Sequence, residues 1–154
     1  MEKFRRIGIL TSGGDAPGMN AAIRAAARAA LARGVAVYGI RNGYQGLIDG
    51  DMQLYTNPSE LRNIINRSGT YLYTARCDEF REPQGMAKAL ETCRKNEIDG
   101  IIAIGGDGTF RGATDLSNHG IPTIGIPGTI DNDVTSTDET IGFDTAMNTA
   151  MSMI

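Results

Sequence analysis

A chain of 154 residues, 41% hydrophobic and 21% charged, is long enough to bury one sizeable core in a single domain. Its formal net charge of −3 gives no electrostatic reason to expect nucleic acid or an anionic membrane surface as partner. No apolar run reaches membrane-spanning length, the opening MEKFRRIGILTSGGD lacks a signal-peptide core, and the two cysteines, Cys77 and Cys93, have neither a disulfide framework nor a metal-ligand spacing, which points to a reducing cytoplasm.

In chain order, residues 5–12 (RRIGILTS) predict a buried strand ended by Gly13-Gly14. The Ala-rich stretch from Gly18 runs without a breaker to Gly34 and predicts a helix. VAVYGI (35–40) predicts a second strand and NGYQGLIDGD a loop. PSELRNIINR (58–67) predicts a short helix, and residues 82–97 a longer one with Met86, Leu90 and Cys93 on one face. IDGIIAIGG (98–106) predicts a strand, DGTFRGATDLSNHG a helix, TIGIPG (123–128) a strand, and GFDTAMNTAMSMI a last helix with Met147 and Met151 spaced for core packing. Strands apolar on both faces, alternating with helices, imply an α/β fold: a parallel or mostly parallel sheet with helices on both faces, in three layers.

In such sheets ligands bind beyond the carboxyl ends of the strands. Three Gly-rich or acidic loops fall at those ends: TSGGDAPG, GGDGTF and PGTIDND. Glycines between strand and helix let backbone N–H groups face a phosphate at a helix N-terminus. Neither GxxxxGK[ST] nor GxGxxG is present, so neither a P-loop nor a dinucleotide fingerprint applies. In Gly105-Gly106-Asp107-Gly108-Thr109 a carboxylate stands among the glycines, where it caps the helix or holds a cation against phosphate oxygens, Mg²⁺ being the usual one. In the third loop, Asp131 and Asp133 share a side of an extended segment, so one can accept a hydroxyl proton while the other orients the cation or the acceptor. A solvated Asp-Asn-Asp turn has the same composition, and spacing does not rank the two aspartates.

TSGGDAPGMNAAIR (11–24), TARCDEF (74–80), GGDGT (105–109), PGTIDND (127–133) and TDETIGFDTA (137–146), in this order and spacing, resemble the 6-phosphofructokinases across essentially the whole chain. The resemblance implies transfer of the ATP γ-phosphate to the 1-hydroxyl of fructose 6-phosphate, with Mg²⁺, in glycolysis. It implies that Asp131 is the base, with Thr129, Ile130 and Asp133 beside the transferring phosphoryl group and the sugar, and that Asp107 is linked to the metal. It implies that Gly13 offers an amide near the γ-phosphate and that Arg76, Cys77, Gly106, Asp107, Gly108 and Thr109 contact the nucleotide. It also implies that Arg76 is a fixed cation for the charge of the transition state. Pyrophosphate-dependent relatives carry Asp and Lys where this chain has Gly108 and Gly128, so the resemblance implies ATP as donor.

Arg24 and Arg28, one helical turn apart, match arginines that contact an allosteric effector, ADP or phosphoenolpyruvate, in bacterial-type relatives; a solvated helix face accounts equally for their spacing. Members of the family are homotetramers of chains roughly twice as long as one ordinary domain, so residues 1–154 are expected to be a nucleotide-binding lobe cut before a second lobe. A non-catalytic nucleotide-sensing module, or another kinase sharing GGDGT, is the alternative. Residues 1–154 alone are therefore expected to turn over negligibly, and a coupled assay of fructose bisphosphate formation that found robust activity would contradict this.

Overall fold

The computed structural model describes residues 4–154. The chain runs β1 (Arg6–Thr11), α1 (Met19–Leu31), β2 (Ala36–Ile40), α2 (Gly43–Asp49), β3 (Met52–Tyr55), three short 3₁₀ turns (Pro58–Leu61, Ile64–Asn66, Glu79–Arg81), α3 (Pro83–Lys95), β4 (Gly100–Gly105), α4 (Asp107–Asn118), β5 (Thr123–Pro127) and α5 (Phe143–Ser152). The five strands form one sheet in the order β3-β2-β1-β4-β5. β1, β2, β4 and β5 are parallel, and β3 is antiparallel on the β2 edge.

Alternation along each strand feeds two cores, as the twofold side-chain period of a strand requires. Leu10, Ile40, Ile101 and Ala103 join residues of α2, α3 and α4 on one face. Ile9, Val37 and Ile104 join α1, Leu61, Ile64 and Leu72 on the other. The three-layer reading therefore holds, with α2, α3, α4 and the Glu79–Arg81 turn in one outer layer and α1 with the first two 3₁₀ turns in the other. No described helix is long and apolar enough to cross a membrane.

Three local expectations fail. NGYQGLIDGD is not a loop: residues 43–49 form α2, with Tyr44, Leu47 and Ile48 buried at helical spacing. Its glycines serve close approach, because a Cβ on Gly46 would lie 1.7 Å from the Arg41 carbonyl oxygen. Residues 58–67 form two separate 3₁₀ turns, the first closed by an Asn57–Glu60 capping box. Met147 and Met151 are 47% and 69% exposed, since no other described element covers that side of α5.

The packing of α2 against α4 is tight enough to dictate sequence. A Cβ on Gly112 would meet the Tyr44 ring at 2.7 Å, and that ring is itself stacked on Phe80 with centroids 4.2 Å apart. Gly112→Ala should therefore push α4 from α2 and lower stability by about 1–3 kcal/mol, the usual cost of overpacking. A denaturation midpoint equal to the parent's would contradict this.

Candidate active site

The chain leaves β1 towards β2 on one side and later returns to β4 on the other, so the switch point of the sheet lies between β1 and β4. The carboxyl ends of these strands are level, with Thr11 opposite Ile104 and Gly105 opposite Pro127 of β5. The Ser12 N–H donates to the Ile104 carbonyl oxygen at 3.0 Å and carries the pairing one residue further. The chain then turns through Gly13, whose φ of 84° lies in the left-handed region that glycine adopts without steric cost. The three loops after β1, β4 and β5 therefore meet at one edge.

After β4, Gly106 is the N-cap of α4 and supplies no side-chain cap; Asp107 is the first helical residue. The capping alternative for Asp107 is thus not what the fold uses. The N–H groups of Asp107, Gly108 and Thr109 have no intrahelical acceptor and carry the positive end of the helix dipole. Beneath them, Thr109 is 2% exposed and its Oγ1 is buried with no hydrogen-bond partner among the described residues. The Tyr44 hydroxyl donates to the Thr109 carbonyl oxygen at 2.6 Å and ties α2 to this first turn. Burial, and after it the Asp115 carboxylate, pushes the Tyr44 phenol well above its ordinary pKa, so it stays a donor.

After β5 the chain bends rather than extends. The Asp131 N–H donates to Thr129 Oγ1 at 3.2 Å, Thr140 Oγ1 donates to the Asp131 carbonyl oxygen at 2.7 Å, and the Thr140 N–H donates to Asn132 Oδ1 at 3.1 Å. The backbone of Asp131 is thus held on both sides while its carboxylate has no hydrogen bond to another described residue. The premise that residues 131 and 133 share a side of an extended segment does not hold.

These loops surround a cleft of about 1110 Å³. Gly13, Arg76, Cys77, Gly106, Asp107, Gly108, Thr109, Thr129 and Asp131 all line it. Ile130 and Asp133 do not, and both are exposed; Arg24 and Arg28 lie on α1, against the other face of the sheet. Burial raises the Cys77 thiol pKa, with a hydrogen bond to the Phe80 backbone opposing it, so this thiol is not activated.

The far end of the cleft escaped the sequence reading. Tyr44, Phe80, Arg81, Arg111 and Asp115 line it. Arg111 follows Asp107 by one helical turn, a spacing that puts both on one face and was legible. Tyr44 was hidden by the glycines on either side of it.

Among the described residues no group of three or more His, Cys, Asp or Glu side chains is placed to hold a metal ion. Asp107, in the glycine loop before α4, and Asp131, after β5, are both on the cleft wall. Two acids beside amides that face phosphate suit a hard divalent cation held mainly by phosphate oxygens and water.

The model of the family described as Phosphofructokinase matches residues 6–154. The chain is 58% identical over 151 residues to a protein of Shouchella clausii named ATP-dependent 6-phosphofructokinase, covering 98% of this chain and 47% of that one. A protein of Halalkalibacterium halodurans with the same name is 57% identical over the same shares. The chain thus spans about half the length of the curated relatives it matches. Among solved structures, Pichia pastoris phosphofructokinase in the T-state superposes with a TM-score of 0.88 at 37% identity, over 99% of this chain and 18% of that one. A pyrophosphate-dependent phosphofructokinase from Marinobacter aquaeolei superposes at 0.75 and 23% identity, over 97% of this chain and 40% of that one, and shares the fold. The chain belongs to the phosphofructokinase family.

Proposed function

We propose that this chain is the nucleotide-binding lobe of an ATP-dependent 6-phosphofructokinase of the glycolytic pathway in the cytoplasm. The protein would move the ATP γ-phosphate to the 1-hydroxyl of fructose 6-phosphate, giving fructose 1,6-bisphosphate. The observation that carries this reading is the meeting of Gly13, the uncapped start of α4 and the free Asp131 carboxylate in one cleft.

We assign the roles on the geometry of the cleft. The Gly13 turn and the N–H groups of Asp107 to Thr109 receive phosphate oxygens, and the unpartnered Thr109 hydroxyl lies directly beneath. Asp131 accepts the proton of the sugar hydroxyl; its carboxylate is free to do so because its backbone, not its side chain, is bonded to Thr129 and Thr140. Arg76 is the fixed cation beside the transferred group. Asp107 would hold Mg²⁺, which when bound neutralises charge on the phosphates. Ile130 and Asp133, outside the described cleft wall, are assigned to the sugar side.

Regulation rests on α1. Arg24 is half-buried on α1, its Nε without a hydrogen-bond partner among the described residues, and its guanidinium with that of Arg28 would pair with an effector anion such as the phosphate of ADP or phosphoenolpyruvate. Arg28 lies exposed in the last turn of α1, where a cation also suits the helix dipole. We assign this face to an effector site of a homotetramer.

The two donor-marking glycines are not equivalent. A Cβ on Gly128 would lie 2.6 Å from Cγ2 of the fully buried Ile104, so a side chain there would require Ile104 to shift. At Gly108 nothing lies within 4 Å of such a Cβ, and the space opens on the cleft. We therefore assign donor selection first to Gly108, where nothing in the protein itself limits a side chain.

In the full-length protein Asp131→Ser should lower kcat by roughly 10²–10⁴-fold, the usual worth of a general base, with ATP affinity little changed. Turnover near the parent's level would sink the assignment of the base and favour a nucleotide sensor. Gly108→Asp should raise the KM for ATP more than about tenfold through repulsion of the phosphates. It should leave the unfolding midpoint near the parent's, since the site is open and an acid suits the first turn of a helix. An unchanged KM for ATP would show that the space at residue 108 does not select the donor.

A further inference from the structure

Arg76 has no obvious means of being held in place. Thr74, Ala75 and Arg76 make no backbone hydrogen bond to other described residues, yet the proposed chemistry needs a fixed cation there. The segment immediately before them, Arg67–Tyr73, is the opposite case. The Thr70 N–H donates to Asp15 Oδ1 at 2.9 Å, and the Asn42 N–H donates to the Leu72 carbonyl oxygen at 2.8 Å. Thr11, wholly buried at the end of β1, donates its hydroxyl to the Tyr73 carbonyl oxygen at 3.0 Å. Having one proton, it must accept from the Thr70 hydroxyl, 2.9 Å away. Tyr73 is thereby kept at φ 59°, a left-handed conformation that L residues adopt at a cost.

The centre of this fastening is Asn20. It is 8% exposed, in the first turn of α1, and spends its side chain on the strap rather than on capping the helix. Its Nδ2 donates to the carbonyl oxygens of Gly69 at 2.7 Å and Arg67 at 3.3 Å; its Oδ1 accepts the Tyr71 N–H at 2.6 Å. Two carbonyls facing one end and an N–H facing the other fix the orientation of the amide. No other side chain of its shape can do this: an aspartate would turn an oxygen towards two carbonyl oxygens.

We propose that Asn20 is a positioning residue for Arg76, acting through the Arg67–Tyr73 strap; this rests on the phosphoryl-transfer reading of the cleft. The strap locks the entry point of residues 74–76. On the other side Phe80, buried and stacked on Tyr44, locks the exit. With both ends fixed, Arg76 enters the cleft from a set direction although its own backbone is unbonded. Asn20 touches neither nucleotide nor sugar in this scheme.

The test is a double-mutant cycle on kcat in the full-length protein, using Asn20→Asp and Arg76→Ala. Asn20→Asp should lower kcat roughly 10- to 100-fold, as a displacement of about 1 Å at a reacting group does, with a smaller change in the KM for ATP. In the Arg76→Ala background it should cost less than about twofold more, because the group it places is gone. Losses that multiply in the double variant, or a parental kcat for Asn20→Asp, overturn the inference alone. If Arg76→Ala itself leaves kcat at the parental level, the role given to Arg76 falls and the inference falls with it. Should Asn20→Asp fail to fold, Thr70→Val decides. It unhooks the strap from Thr11 without touching α1, and should give a smaller loss of kcat that again vanishes beside Arg76→Ala; a parental kcat for Thr70→Val then overturns the proposal.

Discussion

The parallel pairing of β1 with β4 is the constraint on which everything else hangs. These strands are separated in sequence by three helices and two other strands, yet their registers put Thr11 beside Ile104 and end both strands at the same level. That alone brings the Gly13 turn against the start of α4. A shift by one residue would turn Ile9 and Ile104 out of one core and Leu10 and Ala103 out of the other. The hydrophobic pattern that fixes the sheet therefore also fixes the phosphate-facing edge.

The charges of the cleft share one property. The described ion pairs, Arg6–Glu97, Arg41–Asp51 and Lys88–Glu79, all lie outside it. Arg76, Arg81, Arg111, Asp107 and Asp131 line it without any such partner. Side chains that are not neutralised by one another keep their fields for a ligand, which is how a preorganised site differs from a structural ion network. The neutral groups behave in the same way, since the N–H groups at the start of α4 and the Thr109 hydroxyl also lack partners among the described residues.

The layer order and the convergence of three loops were legible because they depend on apolar runs and on the strand-end rule, both of which are local patterns. What escaped is set by contacts distant in sequence. Helix α2 looks like a loop because Gly43 and Gly46 interrupt it, and those glycines exist for the approach of Thr11 and Arg41 backbone. Strand β3 is short and follows directly, so its antiparallel pairing with β2 has no signature of its own. The equivalence of Asp131 and Asp133 assumed an extended chain, whereas Thr129 and Thr140 bend it so that only Asp131 lines the cleft.

Asn20 shows the same limit from the other direction. In GGDAPGMNAAIR it reads as an ordinary polar residue early in a helix, a place where Asn has many uses. Its three bonds reach residues 47 to 51 positions away, and nothing at that distance is encoded in the local pattern. The same holds for Thr11, whose hydroxyl sits on a buried strand where Val would serve packing as well. A buried side chain that can hydrogen-bond, placed where an apolar one would fit, has to be satisfied by something. In this fold Thr11 and Asn20 are satisfied by one strap, and that strap leads directly to Arg76 in the cleft.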